Sequence, residues 1–385
     1  MKRKLLNTLS FLLIVFFVIN IESCTGNRSL NKGNYDLAIK RSVKKLRKNP
    51  NNKKAKQTLI KAYNLAVKVK MEEIYRLKET SDMYKWEKIV DLYSNLNSIS
   101  ADIDHCPACL KIIPDANTYT TSLNEAKYNA ATVRYNLGIE QLKLQTITSA
   151  QDAYRHFAKA KFYIENYKDI DKLMATALEA ATIRVVMEHI PMHSQSLKLS
   201  NEFFESKIFE YINALKYDFV RFYSAEDAAT YNIKPHQYIL LRFDDFVVGQ
   251  TNTYEKETEV SKDSVVLKTE TLPDKTTKKI YGTVKANLHT YSLSITSTGL
   301  LDMRITDATS NTILVQQKMP GTYIWETKWA NFNGDARALN NEQLNMTKQK
   351  PGVPPPPQQL FIEFTKPIYS QVTNHLNNYY KKFNL

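Results

Sequence analysis

Four places in the sequence carry residue types that could do chemistry. Cys106-Pro107-Ala108-Cys109 pairs two thiols three positions apart. That spacing suits a redox dithiol, but such a centre needs a strand before it and a helix after it in a βαβ unit. The flanks Ile99–Asp104 and Leu110–Pro114 lie in a stretch of helical pattern instead. A haem attachment needs His after the second cysteine, and here Leu110 follows while His105 precedes. Structural zinc needs about four ligands, and no second ligand pair is present. The expectation is a Cys106–Cys109 disulfide that stiffens a loop between helices. Glu188-His189-Ile190-Pro191-Met192-His193 sets two histidines four apart, a metal-holding spacing on an unbroken helix, but Pro191 interrupts it. Asp244-Asp245 and Asp335 with Arg337 read as a turn carboxylate pair and a loop ion pair. Trp325, Trp329, Phe332 and Arg337 form an aromatic and cationic stretch of the kind found on contact surfaces.

Catalysis is not expected. There is no Gly-x-Ser-x-Gly, no phosphate-cradling glycine loop and no Ser/His/Asp set, and only nine glycines occur in the chain. No cofactor and no metal follow from these residues. The candidate residues are therefore binding ones: Tyr35, Tyr63, Trp86, Trp325, Trp329 and Arg337 for a partner protein, Cys24 for lipid, and Cys106 with Cys109 for the disulfide.

The elements that must position them start with residues 1–24. Lys2, Arg3 and Lys4 precede the apolar run Leu5–Ile19, which is short for a membrane span and is the pattern of a secretory signal. Ile21-Glu22-Ser23-Cys24 then resembles the lipobox of bacterial lipoproteins, departing from it at Glu22. The resemblance implies cleavage after residue 23 and acyl chains on Cys24, with residues 24–32 as a tether. Each buried methylene of such chains contributes about 0.8 kcal/mol to anchoring. Thr25 is not the aspartate that retains many lipoproteins in the inner membrane, and no acidic cluster follows the cysteine. The implied location is the periplasmic side of the outer membrane in a Gram-negative envelope.

Residues 33–223 read as helices. The set Tyr35, Ala38, Pro50, Leu59 and Tyr63 resembles a tetratricopeptide repeat, departing from it at Ser42, Lys45 and Ile60. Amphipathic stretches recur with Trp86, Ile89, Val90 and Tyr93, over Leu123–Leu144, with Ala150, Ala153, Tyr154 and Phe157, over Tyr167–His189 and over Ser200–Phe222. Residues 235–385 change character. Tyr238–Phe243, Phe246–Val248, Val265–Leu267, Val284–Leu288, Leu293–Ile295, Leu301–Ile305 and Ile313–Val315 alternate as strands, with Tyr323–Trp325 beyond. Turns are expected at Pro273-Asp274-Lys275, Thr298-Gly299, Asp307–Asn311 and Pro320-Gly321. A stiff proline-rich spacer at 351–357, a strand at Leu360–Phe364 and a helix over 367–383 that begins at Pro367 and packs on the sheet close the chain. The predicted fold is α+β in two domains, a tetratricopeptide-like helical array followed by a mainly antiparallel β domain with a C-terminal helix. Ser297–Thr309 with Ile313–Val315 resembles a strand-turn-strand of curli-secretion-type envelope accessory lipoproteins.

The net charge of +14, from 53 Lys and Arg against 39 Asp and Glu, is spread along the chain with a denser run from Lys40 to Lys56. For an exported protein nucleic acid is a poor partner for such charge, and anionic lipid or cell-wall polymer a better one. The expected function is that of a lipid-anchored adaptor or scaffold in an envelope assembly, serving secretion, surface-structure or outer-membrane protein biogenesis. Its partners would be other envelope proteins, docked on the helical repeats. The alternative is a lipoprotein that binds cell-wall glycan (peptidoglycan) or another acidic polymer.

Overall fold

A computed structural model of the chain describes residues 25–192, 194–273 and 275–384. The signal 1–23, Cys24, His193 and Asp274 lie outside the described residues. The chain is α+β and divides into two compact units at Ala181/Thr182. Among the described residues no helix is long and apolar enough to cross a membrane.

The first unit is helical: α1 Thr25–Asn31, α2 Tyr35–Lys48, α3 Lys53–Lys78, α4 Lys85–Asp104, α5 Pro107–Leu110, α6 Thr120–Lys143, α7 Ile147–Tyr163 and α8 Ile170–Ala181. Local chemistry sets the boundaries. Gly33, at φ +73°, ends α1 where a side chain would be strained. The Asn34 and Asn52 side chains accept from the Leu37 and Ala55 N–H groups at 3.1 and 2.9 Å, capping α2 and α3. Thr146 and Ser149 form a reciprocal capping box on α7. Three buried clusters follow one another along the unit. The first joins α2, α3 and the end of α4, the second α3, α4 and α6, the third α6, α7 and α8. Ala38, Ala62, Ala66, Ala131, Ala153, Ala160 and Ala177 are completely buried at these contacts, where small side chains let helix axes approach.

The second unit is built on a five-stranded mixed sheet of order β2-β1-β3-β4-β5. The strands are β1 Ile183–Met187, β2 Val220–Ser224, β3 Gln237–Thr271, β4 Thr277–Asp307 and β5 Ile313–Gly334. β1 runs parallel to β2 and β3, while β3, β4 and β5 are antiparallel. A parallel pair needs a crossover, and the helix α9, Lys198–Ala214, supplies it between β1 and β2. Two short helices, α10 Ala225–Thr230 and α11 Asn341–Thr347, lie in connections. The helix α12, Pro357–Tyr380, buries Leu360, Phe361, Phe364, Ile368, Val372, Leu376 and Tyr380 at helical spacing. It packs on one face of the sheet, where the alternate positions Ile239, Leu241, Leu301, Met303, Ile305 and Met319 are buried. Each such side chain contributes about 1.5–3 kcal/mol through burial.

Several expectations are corrected. The Tyr167–His189 helix stops at Ala181, because Ile183, Val185 and Val186 are β-branched, and β1 pairs on both edges, the environment that favours a continuous apolar run over alternation. The helix expected over Ser200–Phe222 ends at Ala214 and gives way to β2. These two strands make the sheet mixed rather than mainly antiparallel. The short strands expected between Tyr238 and Trp325 are three long ones. Thr298-Gly299 and Pro320-Gly321 are not turns but lie within β4 and β5, with Gly299 opposite Gly321. Their glycines serve close approach: a Cβ at Gly299 would fall 2.5 Å from the Phe364 ring, and one at Gly321 2.3 Å from the Phe364 carbonyl oxygen. Leu360–Phe364 is helix rather than strand, since Leu360, Phe361, Phe364 and Ile368 share one face; Pro357 occupies the first turn and Pro367 lies inside the helix.

Candidate functional site

The face of the sheet opposite α12 is polar, and the strand register decides which side chains meet there. Tyr238 lies opposite Thr306, Leu240 opposite Arg304 and Arg242 opposite Asp302, while Gln316 and Lys318 follow on β5 opposite Arg304 and Asp302. Directly paired residues share a face. Glu188, His189 and Pro191, just after β1, and Asn311, from the β4–β5 connection, complete the walls. With Tyr238, Leu240, Arg242, Asp302, Arg304 and Thr306 they line an open cavity of about 470 Å³, within the size range of ligand sites.

Asp302 organises this cavity. It is only 3% exposed, and a buried carboxylate must be fully partnered. Its Oδ1 accepts from Gln316 Nε2 at 2.8 Å and its Oδ2 from Arg304 Nε at 2.7 Å, with Arg304 Nη2 in ion-pair contact with the same oxygen. Arg304 is thereby held from behind, its side chain 37% exposed. Arg242 is more open, 63% exposed, and its nearest carboxylate is Asp244 at 3.8 Å. Asp244 itself accepts from Lys318 Nζ, and that bond holds its carboxyl below the usual carboxylate range. His189 sits between two glutamates, with Nδ1 2.7 Å from Glu205 Oε1 and Nε2 2.9 Å from Glu226 Oε1. The Glu205 hydrogen bond raises the His189 pKa. Glu205 also accepts from the Ile190 N–H at 2.7 Å, which locks the segment after β1. Among the described residues no group of three or more His, Cys, Asp and Glu side chains is placed to hold a metal ion. The cavity offers fixed donors, one aromatic side chain and a balanced set of charges, which is equipment for binding.

A second surface lies farther along the sheet, on the other face. Tyr291 and Trp329, paired across β4 and β5, stack with centroids 5.4 Å apart and planes 11° apart. His289 stands between Glu255 and Glu257, 3.7 Å from each, with Asn331 opposite it on β5.

The residues singled out in the sequence fall in separate places. Tyr63 is core, 8% exposed, its hydroxyl accepting the Asn117 N–H at 3.0 Å. Tyr35 is half-buried against the same cluster and Trp86 against the next. Trp325 and Trp329 share a face of β5; Gly352 packs over Trp325 and its N–H donates to Thr327 Oγ1 at 3.0 Å. Arg337 is tied to Asp335 and donates from Nη1 to the Val266 carbonyl at 2.6 Å. Cys106 and Cys109 form a disulfide with Cα atoms 5.1 Å apart, and both are buried. No motif in the sequence marks the cavity residues Tyr238, Arg242, Asp302 and Arg304 as a site. The one signal for them is the alternation of Asp302, Arg304 and Thr306 against Leu301, Met303 and Ile305.

No protein-family model matches the chain, and no curated protein matches it. Among solved structures, it is similar to a neuraminyllactose-binding hemagglutinin homolog from Helicobacter pylori. The identity is 9%, with 52% of this chain and 91% of that chain covered, and the TM-score is 0.24. A likeness of that size carries no argument about function.

Proposed function

We propose that the protein is a non-catalytic adaptor of the cell envelope, held at the periplasmic side of the outer membrane by acyl chains on Cys24, with a tetratricopeptide-like helical domain that docks partner proteins and a β-rich domain after it. One observation carries the docking reading: successive helices of the first unit pack through fully buried alanines in three consecutive clusters, the construction by which repeat arrays present extended binding surfaces. Large side chains stay on the outside, with Tyr75 61%, Tyr128 53% and Phe162 75% exposed. Co-purification of the full-length chain from detergent-solubilised membranes tests this reading. A stoichiometric envelope protein should be recovered, and be lost when Tyr75, Tyr128 and Phe162 are replaced by alanine. Recovery of no stoichiometric partner, or a partner indifferent to those replacements, overturns it. Cys24→Ser should release the chain from the membrane fraction.

The stacked Tyr291–Trp329 pair favours a second reading, binding of cell-wall glycan, since sugar rings pack on aromatic faces and take hydrogen bonds from neighbours such as Asn331 and His289. Sedimentation with purified peptidoglycan should then fall sharply with Trp329→Ala; equal sedimentation of both chains removes this reading.

A further inference from the structure

We infer that the cavity formed by Arg242, Arg304, Tyr238 and Thr306 is a binding site for a small monocarboxylate. The fork of Arg304 is the anchor of the site. A guanidinium has five N–H donors in a fixed plane. Asp302 accepts the Nε–H, and Nη2 stands in ion-pair contact with the same carboxylate oxygen. The Nη1 hydrogens and the second Nη2 hydrogen have no protein acceptor among the described residues. They form the outer edge of a fork whose inner edge is clamped, so a ligand that meets it orders little further. Arg242 accompanies it. It lies opposite Asp302 and diagonal to Arg304 on the same face, and such diagonal neighbours stand roughly 7–8 Å apart, within reach of long side chains. Two guanidinium groups at that spacing can both reach one carboxylate, which accepts bidentate pairs. Among the described residues Arg242 has no protein hydrogen bond to give up, its nearest carboxylate lying at 3.8 Å.

The remaining lining sets the class of ligand. The two arginines share the cavity with His189 and two carboxylates, Glu188 and Asp302, and a third carboxylate, Asp244, stands 3.8 Å from Arg242. That balance suits a single negative charge and disfavours a phosphate group, whose higher charge needs an excess of cations. Tyr238, Leu240 and Pro191 offer apolar surface for the body of the ligand, and Thr306 and Asn311 offer hydrogen-bonding groups. A carboxylate of this size has two sources, an acidic sugar or the C-terminal residue of a short peptide. Both present the same group to the arginines. Asp302 acts as a positioning residue, through Arg304. The inference is independent of the docking reading, which rests on the helical unit, and either can fail without the other.

Calorimetric titration of the full-length protein in detergent, with glucuronate and with alanyl-alanine as carboxylate probes and glucose and inorganic phosphate as controls, tests it. At least one carboxylate should bind and glucose should not. Glucuronate alone identifies the acidic-sugar source, the dipeptide alone the peptide source, and both together the shared carboxylate chemistry; each outcome supports the site. Arg304→Gln should weaken binding about tenfold or more, as expected for loss of charge-assisted hydrogen bonds. Arg304→Lys, which keeps the charge and loses the fork, should restore only part of that. Asp302→Asn should also weaken binding, and the Arg304 Nε–H resonance, which should move on carboxylate addition to the parent chain, should then move less. If that buried replacement fails to fold, Arg242→Gln on the exposed edge gives the same reading of affinity. Binding of neither carboxylate at millimolar concentration, phosphate binding as tightly as the carboxylates, or carboxylate binding unchanged by Arg304→Gln overturns the inference.

Discussion

Gly138 shows how one atom governs a helix contact. A Cβ at that position would lie 2.4 Å from the Phe157 ring, which is fully buried between α6 and α7. Alanine is the better helix former by about 1 kcal/mol, so propensity and packing oppose each other here. Overpacking a filled contact costs about 1–3 kcal/mol and should win. Gly138→Ala should lower the urea midpoint of the first unit, and adding Phe157→Leu should recover part of the loss; a raised midpoint for the single replacement contradicts this packing. His189 makes a different prediction at the same scale. Its pKa is raised in the fold by Glu205, with burial opposing. The stabilisation it brings is present in full below the unfolded histidine value of about 6.5. It is lost as pH rises through the raised folded value. Unfolding measured across that window should show a decline in the stability of the second unit that His189→Gln abolishes. The sequence marked His189 by its spacing from His193, but the partners it takes, Glu205 from α9 and Glu226 from α10, come from other elements.

At the scale of elements, the fit of α12 on the sheet is decided at two facing glycines. Gly299 and Gly321 are direct neighbours across β4 and β5, and the backbone of α12 comes within contact distance of the second. A flexible side chain can give way to a new methyl, but a helix carbonyl cannot without moving the helix. Gly321→Ala should therefore cost about 3 kcal/mol, the upper part of the range for overpacking. Denaturant unfolding of the second unit checks this; a loss below about 1 kcal/mol would show that α12 shifts freely. The same pair explains why turn signals misled. Pro320-Gly321 carries a common turn composition, yet here the glycine clears space for a helix that follows nearly forty positions later, which no local pattern records. The α12 helix itself was legible from Pro367 onward through Ile368, Val372, Leu376 and Tyr380. Its first turns were not, because a short apolar run such as Leu360–Phe364 fits strand and helix equally.

At the scale of the whole molecule, each unit has its own core, and the division falls between α8 and β1. Compact units with separate cores fold as units. Residues 25–181 and 182–385 expressed apart should each melt in one cooperative transition, followed by circular dichroism. A fragment that remains uncooperative shows that its core is incomplete alone. The composition change near Tyr223 placed the change of character some forty residues later than the structure does, because α9 is a helix that belongs with the sheet.

The sequence by itself determined the classes of element over most of the chain, helical through α8 and β-rich from Gln237, because periodicities of 3.6 and 2 are local properties of which side chains seek burial. It also marked the Cys106–Cys109 pair, since a separation of three residues lets neighbouring turns bring both thiols together. Tertiary structure alone decided the cavity. Arg242 and Arg304 are sixty-two positions apart in the chain, and they become neighbours only because β3 and β4 pair in one register. Burial of Asp302 then turns an exposed strand position into the clamp that aims Arg304, and that burial depends on where the neighbouring strand lies.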